Sequence, residues 1–539
     1  MKVFHKPQGP VRAGGELCFF ARTEGEGTPV LLLWRDGETP RPIPMERTEA
    51  GYQARLTAPA EPCLLWYAFQ DQPGGPWQRT VYTPDAAPDW YTGGVAYQIF
   101  PDRFYRGADW RQRREAGAAK GQRLPRLFHE SWDDAPFYLR DENKRVTHWD
   151  FFGGTLRGIE EKLDDLRGLG VTVLYLNPIF AAASNHRYDT ADYFEIDPAL
   201  GDTAGFTALC RAAGDRGMRV ILDGVFSHTG ADSRYFDRWG RYGGGACAGP
   251  ASPYYRWYDF QEFPGKYRCW WGEPDLPEVS ELDPGFLDLI CGENGVVRHW
   301  LRLGASGWRL DVADELPDPF IRAVRAAAMA EKPDALLLGE VWEDASNKVS
   351  YGVRRDYLLG GGLHGVMNYP FRQGLVDFIL GRTDAPALAF ALTTLRDHYP
   401  PGAFAASLNL LGSHDRARIL TVLGGEGDRA LALRRQKALS FLQFTLPGVP
   451  CVYYGDEAGL TGGEDPDNRR PYPWGREDQS LLSHYRWLCT LRRDHPALIS
   501  GGFDAQAPSP EELVLRRGSL TAYVNRTTLE YRLEAVNSA

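Results

Sequence analysis

Four short apolar segments of this chain each end on an acidic residue, and this pattern constrains the fold more than any other feature of the sequence. The four acidic residues are Asp223, Asp311, Glu340 and Asp415. A buried strand that ends on a carboxylate presents that group at the rim of its sheet, and parallel α/β barrels carry their chemistry at this rim. One such ending is explained by a turn or a helix cap. Four in order, with helix-like stretches between them, predict a shared site.

The segment after Val95 alternates between strand-like and helix-like stretches. These stretches are 95–100, 159–166, 171–176, 206–217 and 220–222. Alternation of this kind predicts a parallel α/β sheet, and its length favours closure into a (β/α)8 TIM barrel over an open sheet. We place the barrel at residues 92–229 and 286–500.

Four segments depart from this alternation. Residues 1–88 contain short strands between turns, which is typical of a β-sandwich. Residues 230–285 are rich in Gly, Tyr, Trp and Pro with little periodicity, and we interpret them as an inserted irregular subdomain that walls the barrel mouth. For residues 501–539 we predict a short C-terminal β-domain. A polar, Arg-rich insertion at 107–147 follows the first barrel strand.

Composition narrows the partners and the compartment. The chain has 539 residues, 43% hydrophobic and 24% charged, and is expected to form two to four globular domains. Its formal net charge of −10 argues against a nucleic-acid partner. No apolar run approaches a membrane-spanning length, and the first residues lack a signal-peptide pattern. The eight cysteines form no Cys-x-x-Cys pair, so we expect reduced thiols and a cytoplasmic protein.

The paired carboxylates are suited to the cleavage of a glycosidic bond. Asp311 and Glu340 end neighbouring predicted strands, and a retaining mechanism holds its two carboxyl groups about 5 Å apart. Arg309 faces the same way as Asp311 and is expected either to keep it ionised or to form a structural ion pair. Because Val341 and Trp342 follow Glu340 in the sequence, we predict partly apolar surroundings for its carboxyl group. Such surroundings favour the protonated form that a general acid needs. The alternative is that these acids are only caps and ion pairs.

Seven motifs, taken together, resemble the α-amylase superfamily, glycoside hydrolase family 13. Residues 223–228, 307–311, 339–342 and 413–415 resemble its four ordered motifs. Residues 97–104, 185–194 and 311–315 resemble its neopullulanase, cyclomaltodextrinase and maltogenic amylase branch. The likeness covers about residues 95–460, and more weakly the N-terminal segment.

The resemblance implies specific roles. Asp311 is expected to be the nucleophile, Glu340 the general acid/base and Asp415 the transition-state stabiliser. The residues expected to bind the substrate are Tyr188, His186, Asp223, His228, Arg309, His414 and Trp342. The reaction implied is retaining hydrolysis of α-1,4, and in some members α-1,6, glucosidic bonds in short or cyclic maltodextrins and pullulan, through a β-glycosyl-aspartate.

Two departures from the family pattern bear on cofactors and specificity. Ser227 stands where many relatives have an Asn that binds calcium, and Ser is a poorer ligand for a hard cation. We therefore expect no required cofactor and no metal site. Asp314 replaces the usual Asn of the branch.

The resemblance also implies a homodimer in which the sandwich of one subunit narrows the active site of the other. The alternatives are a glucan transferase or isomerase that uses the same intermediate, or a non-catalytic carbohydrate-binding protein.

Overall fold

Eight parallel strands form the centre of the molecule. The computed structural model describes residues 2–22, 28–70, 74–118, 124–143 and 145–535. In chain order the barrel strands are Ala96–Ile99, Val173–Leu176, Arg219–Gly224, Gly307–Leu310, Leu336–Gly339, Gly365–Val366, Leu408–Leu410 and Val449–Tyr453. Consecutive strands pair in parallel from the first to the sixth, and the eighth pairs with both the seventh and the first. A parallel bridge between Met367 and Leu408 closes the circle, so the predicted (β/α)8 barrel is confirmed.

Side chains of the barrel strands alternate between two cores. Trp308 and Leu310 of the fourth strand belong to the large core between the strands and the surrounding helices. Inward-facing residues such as Val173, Ile221 and Leu338 form a separate cluster inside the barrel. Successive side chains of a strand point to opposite faces, so Arg309, between Trp308 and Leu310, enters the barrel interior.

Helices cover the outside of the barrel. Those between the first and fourth strands are Leu156–Glu161, Leu163–Leu169, Thr203–Gly214, Pro284–Cys291 and Val296–Arg302. Those that follow are Asp318–Glu331, Tyr369–Ile379, Ala385–His398, Pro401–Ala405, Ile419–Val422, Arg429–Thr445, Gln479–Asp494 and Ala497–Ser500. The helix predicted at 159–166 is two short helices separated at Lys162, and the second ends at Gly170 in the left-handed conformation (φ 104°). Side-chain oxygens of Thr155 and Asp202 accept backbone N–H groups at helix starts, which satisfies donors that the helix itself leaves free.

The connection between the fifth and sixth strands differs from the others. Residues 340–364, all of them described, contain no helix. They form instead a short antiparallel hairpin of Val349–Ser350 and Val353–Arg354. We call residues 346–354 the rim hairpin.

Two sheets precede the barrel and share one core. The first contains Lys2–Lys6, Glu16–Arg22, Gly51–Thr57 and Glu46–Thr48; the second contains Val11–Arg12, Trp77–Tyr82, Cys63–Phe69, Leu31–Arg35 and Arg41–Ile43. Leu17 and Phe19 of the first sheet pack with Leu31, Leu65 and Val81 of the second, which makes this segment a β-sandwich.

Smaller elements surround the barrel ends. The insertion after the first strand contains the helix Trp110–Gly117 and a three-stranded sheet of Arg126–Phe128, Tyr138–Arg140 and Val146–Phe151. Residues 230–283 contain turns, the short 3-10 helices Ala246–Ala248, Tyr255–Trp257 and Trp270–Gly272, and the hairpin Phe260–Glu262 with Lys266–Tyr267. Phe503–Gln506, Glu512–Arg517, Leu520–Asn525 and Tyr531–Ala535 form an antiparallel C-terminal sheet. Within the described ranges, no helix has the length and apolar character needed to cross a membrane.

Candidate active site

A cavity of about 860 Å³ opens at the carboxyl ends of the barrel strands. Asp311, Glu340 and Asp415 all line it, although they follow the fourth, fifth and seventh strands and are far apart in the sequence. The other residues expected at the site that line the cavity are His186, Tyr188, His228, Trp342 and His414. Asp223 and Arg309 are buried beneath the cavity wall and support it from below.

Arg309 is the centre of the carboxylate cluster. Its Nη1 atom lies 2.6 Å from Asp223 Oδ1 and 2.8 Å from Asp311 Oδ1, and its Nη2 atom lies 2.8 Å from Glu340 Oε2. Two carboxylates on adjacent nitrogens of one guanidinium are held within a few Å of each other. This arrangement is compatible with the separation of about 5 Å that is typical of retaining glycosidases.

Asp311 lies at a strained point of the chain. The next residue, Val312, has a left-handed φ of 37°, which is unfavourable for a β-branched side chain and is found mainly at functional sites. Burial raises the pKa of Asp311 well above its usual value, and the neighbouring Glu340, Asp223 and Asp415 charges add to this while the positive charge of Arg309 opposes it. The counter-charge of Arg309 therefore favours the ionised form that a nucleophile needs.

Glu340 is surrounded by donors. Its Oε2 atom accepts the backbone N–H of Val312 at 3.0 Å and is paired with Arg309, while Oε1 accepts the indole N–H of Trp342 at 3.1 Å. Trp342 turns its indole N–H toward the carboxylate, and the partly apolar surroundings expected for Glu340 stay a prediction. These contacts fix the direction in which Glu340 faces the cavity.

Trp342 and Asp415 form another part of the cavity wall. The ring of Trp342 stacks on that of Tyr369, with centroids 4.2 Å apart and planes 6° apart, and the guanidinium of Arg416 lies over it. Asp415 is 3.5 Å from the hydroxyl of Tyr369 and 3.2 Å from His414 Nε2. Burial raises the pKa of Asp415 from its usual value, although the charge of Arg309 opposes this.

A loop between Phe180–Ala182 and Thr190–Ile196 brings His186 and Tyr188 to the cavity. The hydroxyl of Tyr188 donates to Asp223 Oδ2 at 2.9 Å and lies 2.6 Å from His414 Nε2. The rings of Tyr188 and His414 are stacked with an interplanar angle of 2°. Tyr188 thus presents an aromatic surface whose orientation is fixed by two polar partners.

The three histidines at the site are held in their neutral form by burial. Burial lowers the pKa of His228 to about 4 and that of His186 and His414 well below the usual value. His228 Nε2 lies 3.1 Å from the backbone oxygen of Tyr188, and Nδ1 lies 2.9 Å from Ser227 Oγ. Neutral imidazoles can donate to and accept from sugar hydroxyls without adding charge beside the carboxylates.

The site includes polar residues to which the sequence analysis gave no role. Tyr175, inside the second strand, donates to Asp223 Oδ2 at 2.7 Å, and Gln98 Nε2 lies 2.9 Å from His414 Nδ1. A Tyr and a Gln within otherwise apolar strands were visible signals for both positions. The rings of Tyr138 and Trp149 also line the cavity, so the insertion after the first strand contributes to its wall.

Further aromatic residues at the cavity edge come from loops. Trp270, Trp271 and Tyr351 line the outer part of the cavity. They belong to residues 230–285 and to the rim hairpin. That residues 230–285 contribute to the wall agrees with the interpretation of this segment as walling the barrel mouth, whereas the sequence analysis gave the rim hairpin no position.

Among the residues that the structure describes, no group of three or more His, Cys, Asp or Glu side chains is arranged to hold a metal ion. Ser227 Oγ, at the position considered above for a calcium ligand, lies 2.9 Å from His228 Nδ1. The expectation that no metal is needed stays a prediction.

Comparison with known proteins agrees with this geometry. The sequence profile described as "Alpha amylase, catalytic domain" matches residues 98–281 and 291–493. The chain belongs to the α-amylase family, glycoside hydrolase family 13. It is 39% identical over 477 residues to an amylopullulanase of Thermoanaerobacter thermohydrosulfuricus, an alignment that covers 79% of this chain and 32% of the relative. It is 38% identical over 426 residues to a cyclomaltodextrinase of Geobacillus thermopakistaniensis, covering 77% of this chain and 64% of the relative.

A solved structure of the family is similar over nearly the whole length. The type III pullulan hydrolase from Thermococcus kodakarensis superposes with a TM-score of 0.75 at 28% identity, covering 97% of this chain and 94% of that structure. By contrast, the chain spans only about a third of the length of the amylopullulanases it matches. The relatives are glycoside hydrolases, and the family membership of this chain rests on the profile match over residues 98–281 and 291–493.

Proposed function

We propose that this chain hydrolyses α-glucosidic bonds with retention of configuration. The observation that carries the proposal is the arrangement of Asp311 and Glu340 on one buried guanidinium, at the floor of a cavity lined with aromatic rings. Two carboxyl groups held this close leave too little room for the water that an inverting enzyme places between them.

The chemistry follows from the positions of the three acids. Asp311 attacks the anomeric carbon while Glu340 gives its proton to the departing glycosidic oxygen, which leaves as an alcohol. Glu340, now ionised, removes a proton from water, and the water oxygen displaces Asp311 from the anomeric carbon. The charge of Asp415 stabilises the cationic transition state of both steps. Two displacements return the product to the α configuration.

We propose short or cyclic maltodextrins and pullulan as substrates. The cavity volume lies within the range of small-molecule sites, and its aromatic walls suit the apolar faces of glucosyl units. Relatives named cyclomaltodextrinase and neopullulanase support the same substrate class, and those named amylopullulanase support cleavage of α-1,6 as well as α-1,4 bonds.

The direct test is to incubate the protein with cyclodextrins, pullulan and linear maltodextrins and to follow the products by proton NMR. We expect the α-anomer to appear first and the β-anomer only later, by mutarotation. Initial release of the β-anomer would contradict the retaining mechanism. With maltotriose, products longer than the substrate would indicate the alternative, glucan transfer to a sugar hydroxyl.

We also propose that activity requires no metal ion. Ser227 Oγ, at the position considered above for a calcium ligand, is in contact with His228. Incubation with excess EDTA should therefore leave both kcat and Tm unchanged. A loss of either that added calcium restores would show that a metal site exists.

A homodimer and a cytoplasmic location belong to the same proposal. The family resemblance supports the dimer, and a monomeric mass in solution would contradict it. The eight cysteines are all free thiols.

A further inference from the structure

The rim hairpin forms part of the cavity wall, although the connection to which it belongs, residues 340–364, contains no helix. Lys348, Val349, Ser350 and Tyr351 all line the cavity. Tyr351, at the tip, is 70% exposed and has a left-handed φ of 50°. A short two-stranded hairpin is marginally stable by itself, so its position must be decided by what it contacts.

On the cavity side, the tip of the hairpin lies close to the carboxylate of Glu315, which accepts hydrogen bonds from two tryptophans. Glu315 accepts the indole N–H of Trp270 at 3.0 Å and that of Trp271 at 2.9 Å. Burial, the charges of Glu315 and Glu278 and a hydrogen bond to Glu315 raise the pKa of Tyr351. Trp271 is 81% exposed. Three rings, two of them highly exposed, thus gather around one carboxylate at the outer end of the cavity.

On the opposite side, the hairpin is held by the N-terminal sandwich of the same chain. Arg354 donates from Nε and Nη2 to the two oxygens of Asp36, at 3.0 and 3.2 Å. Trp66 donates to Asp36 at 2.7 Å, and the guanidinium of Arg354 lies 5.8 Å from the Trp66 ring. Arg354 Nη1 also donates to the backbone oxygen of Asn347, at the other end of the hairpin. Asp36 therefore contacts the residue that ties both hairpin ends together.

A second contact fixes the start of the hairpin. Gln78, buried in the sandwich, donates to Ser346 Oγ at 3.0 Å and accepts from Asn347 Nδ2 at 2.8 Å. Its Nε2 atom also lies 2.9 Å from Thr80 Oγ1, whose hydroxyl donates to the backbone oxygen of His398. The sandwich is thus bonded both to the helix Ala385–His398 and to the hairpin, which gives the hairpin a rigid base.

We propose that the N-terminal sandwich, through Asp36, Trp66 and Gln78, is a positioning element that holds the rim hairpin and its Tyr351 against the glucosyl units farthest from the cleaved bond. The inference rests on the proposed α-glucan hydrolysis. It assigns the sandwich a role within its own chain, whether or not a second subunit is present. Asp36 acts through Arg354 and does not touch the substrate.

The test is Asp36→Asn, compared with Glu61→Gln as a matched control. Glu61 is an exposed carboxylate of the same sandwich, and its ion pair is with Arg35, at 3.8 Å, rather than with Arg354. For Asp36→Asn we expect KM for long maltodextrins to rise about 3- to 10-fold, while KM for maltotriose and kcat for both change less than twofold. Hydrogen exchange without substrate should be faster in residues 346–355 and unchanged in the barrel strands.

Arg354→Gln provides a second route to the same result. Because Asp36 reaches the hairpin through Arg354, the double variant should be no worse than Arg354→Gln alone. Identical KM values and exchange rates for Asp36→Asn and Glu61→Gln would overturn the proposal. Equal losses on short and long substrates together with a lower Tm would also overturn it, because they would show a purely structural role. If the wild type cleaved no α-glucan, the proposed function would fail, while hydrogen exchange would still decide whether the sandwich positions the hairpin.

Discussion

Replacing Glu340 with Gln is expected to lower kcat on maltodextrins by about 10²–10⁴-fold, the usual loss when a general acid is removed. Gln keeps the size of the side chain and one carbonyl acceptor for the N–H of Val312 or Trp342. It cannot supply a proton to a sugar leaving group. KM should change little, since the loss falls on the chemical step.

The choice of leaving group separates loss of the acid from loss of folding or of substrate binding. A nitrophenyl α-maltoside releases a stabilised phenolate that needs no proton, so the first step should survive in Glu340→Gln and appear as a burst of nitrophenol. Asp311→Asn should show no burst, because it lacks the attacking oxygen.

Glu331→Gln serves as a control, since Glu331 ends the helix before the fifth strand, at the opposite end of the barrel. Wild-type activity of Glu340→Gln on maltodextrins would contradict the assignment.

Replacing Arg309 with Leu is expected to lower the free energy of unfolding by about 3–5 kcal/mol, because it leaves buried carboxylates without their counter-charge. Arg309 is completely buried and contacts Asp223, Asp311 and Glu340. Burial already raises the pKa of Asp311, and Arg309 opposes this. Without Arg309 the pKa of Asp311 rises further, so the acid limb of kcat/KM moves to higher pH. Urea unfolding and a pH–rate profile measure the two effects.

A surface arginine provides the matched control for this substitution. Arg322 makes two contacts with Asp356, but both side chains are about 40% exposed, so Arg322→Leu should cost about 1 kcal/mol or less. Adding Asp223→Asn to Arg309→Leu should restore part of the lost stability, because one uncompensated charge is removed. Equal losses for Arg309→Leu and Arg322→Leu would contradict the central role given to Arg309.

The barrel was predictable because its strands carry a strong local signal. Runs such as Leu336–Gly339 are apolar throughout, as expected for strands buried on both faces, and the structure has them within one or two residues of the predicted positions. The helix predicted at 159–166 was placed correctly but is divided at Lys162. At Lys162 the backbone leaves the helical conformation (φ −101°, ψ 6°), which a periodic pattern does not report.

The cluster of acids was also predictable, but the surroundings of its members were not. Parallel strands bring their carboxyl ends to one rim, so Asp311, Glu340 and Asp415 had to meet there once the barrel was assumed. That Trp342 turns its N–H toward Glu340, and that Asp223 and Arg309 lie beneath the cavity, depends on side-chain packing between strands.

The order of strands, their apolar faces and the acids at their ends are local properties, and the sequence by itself determined them. Only the tertiary structure decided that Asp36 reaches Arg354 and that Glu315 joins Trp270 with Trp271. These contacts join irregular segments that lie up to several hundred residues apart. No periodicity marks such segments, so their positions follow from the packing of the whole chain.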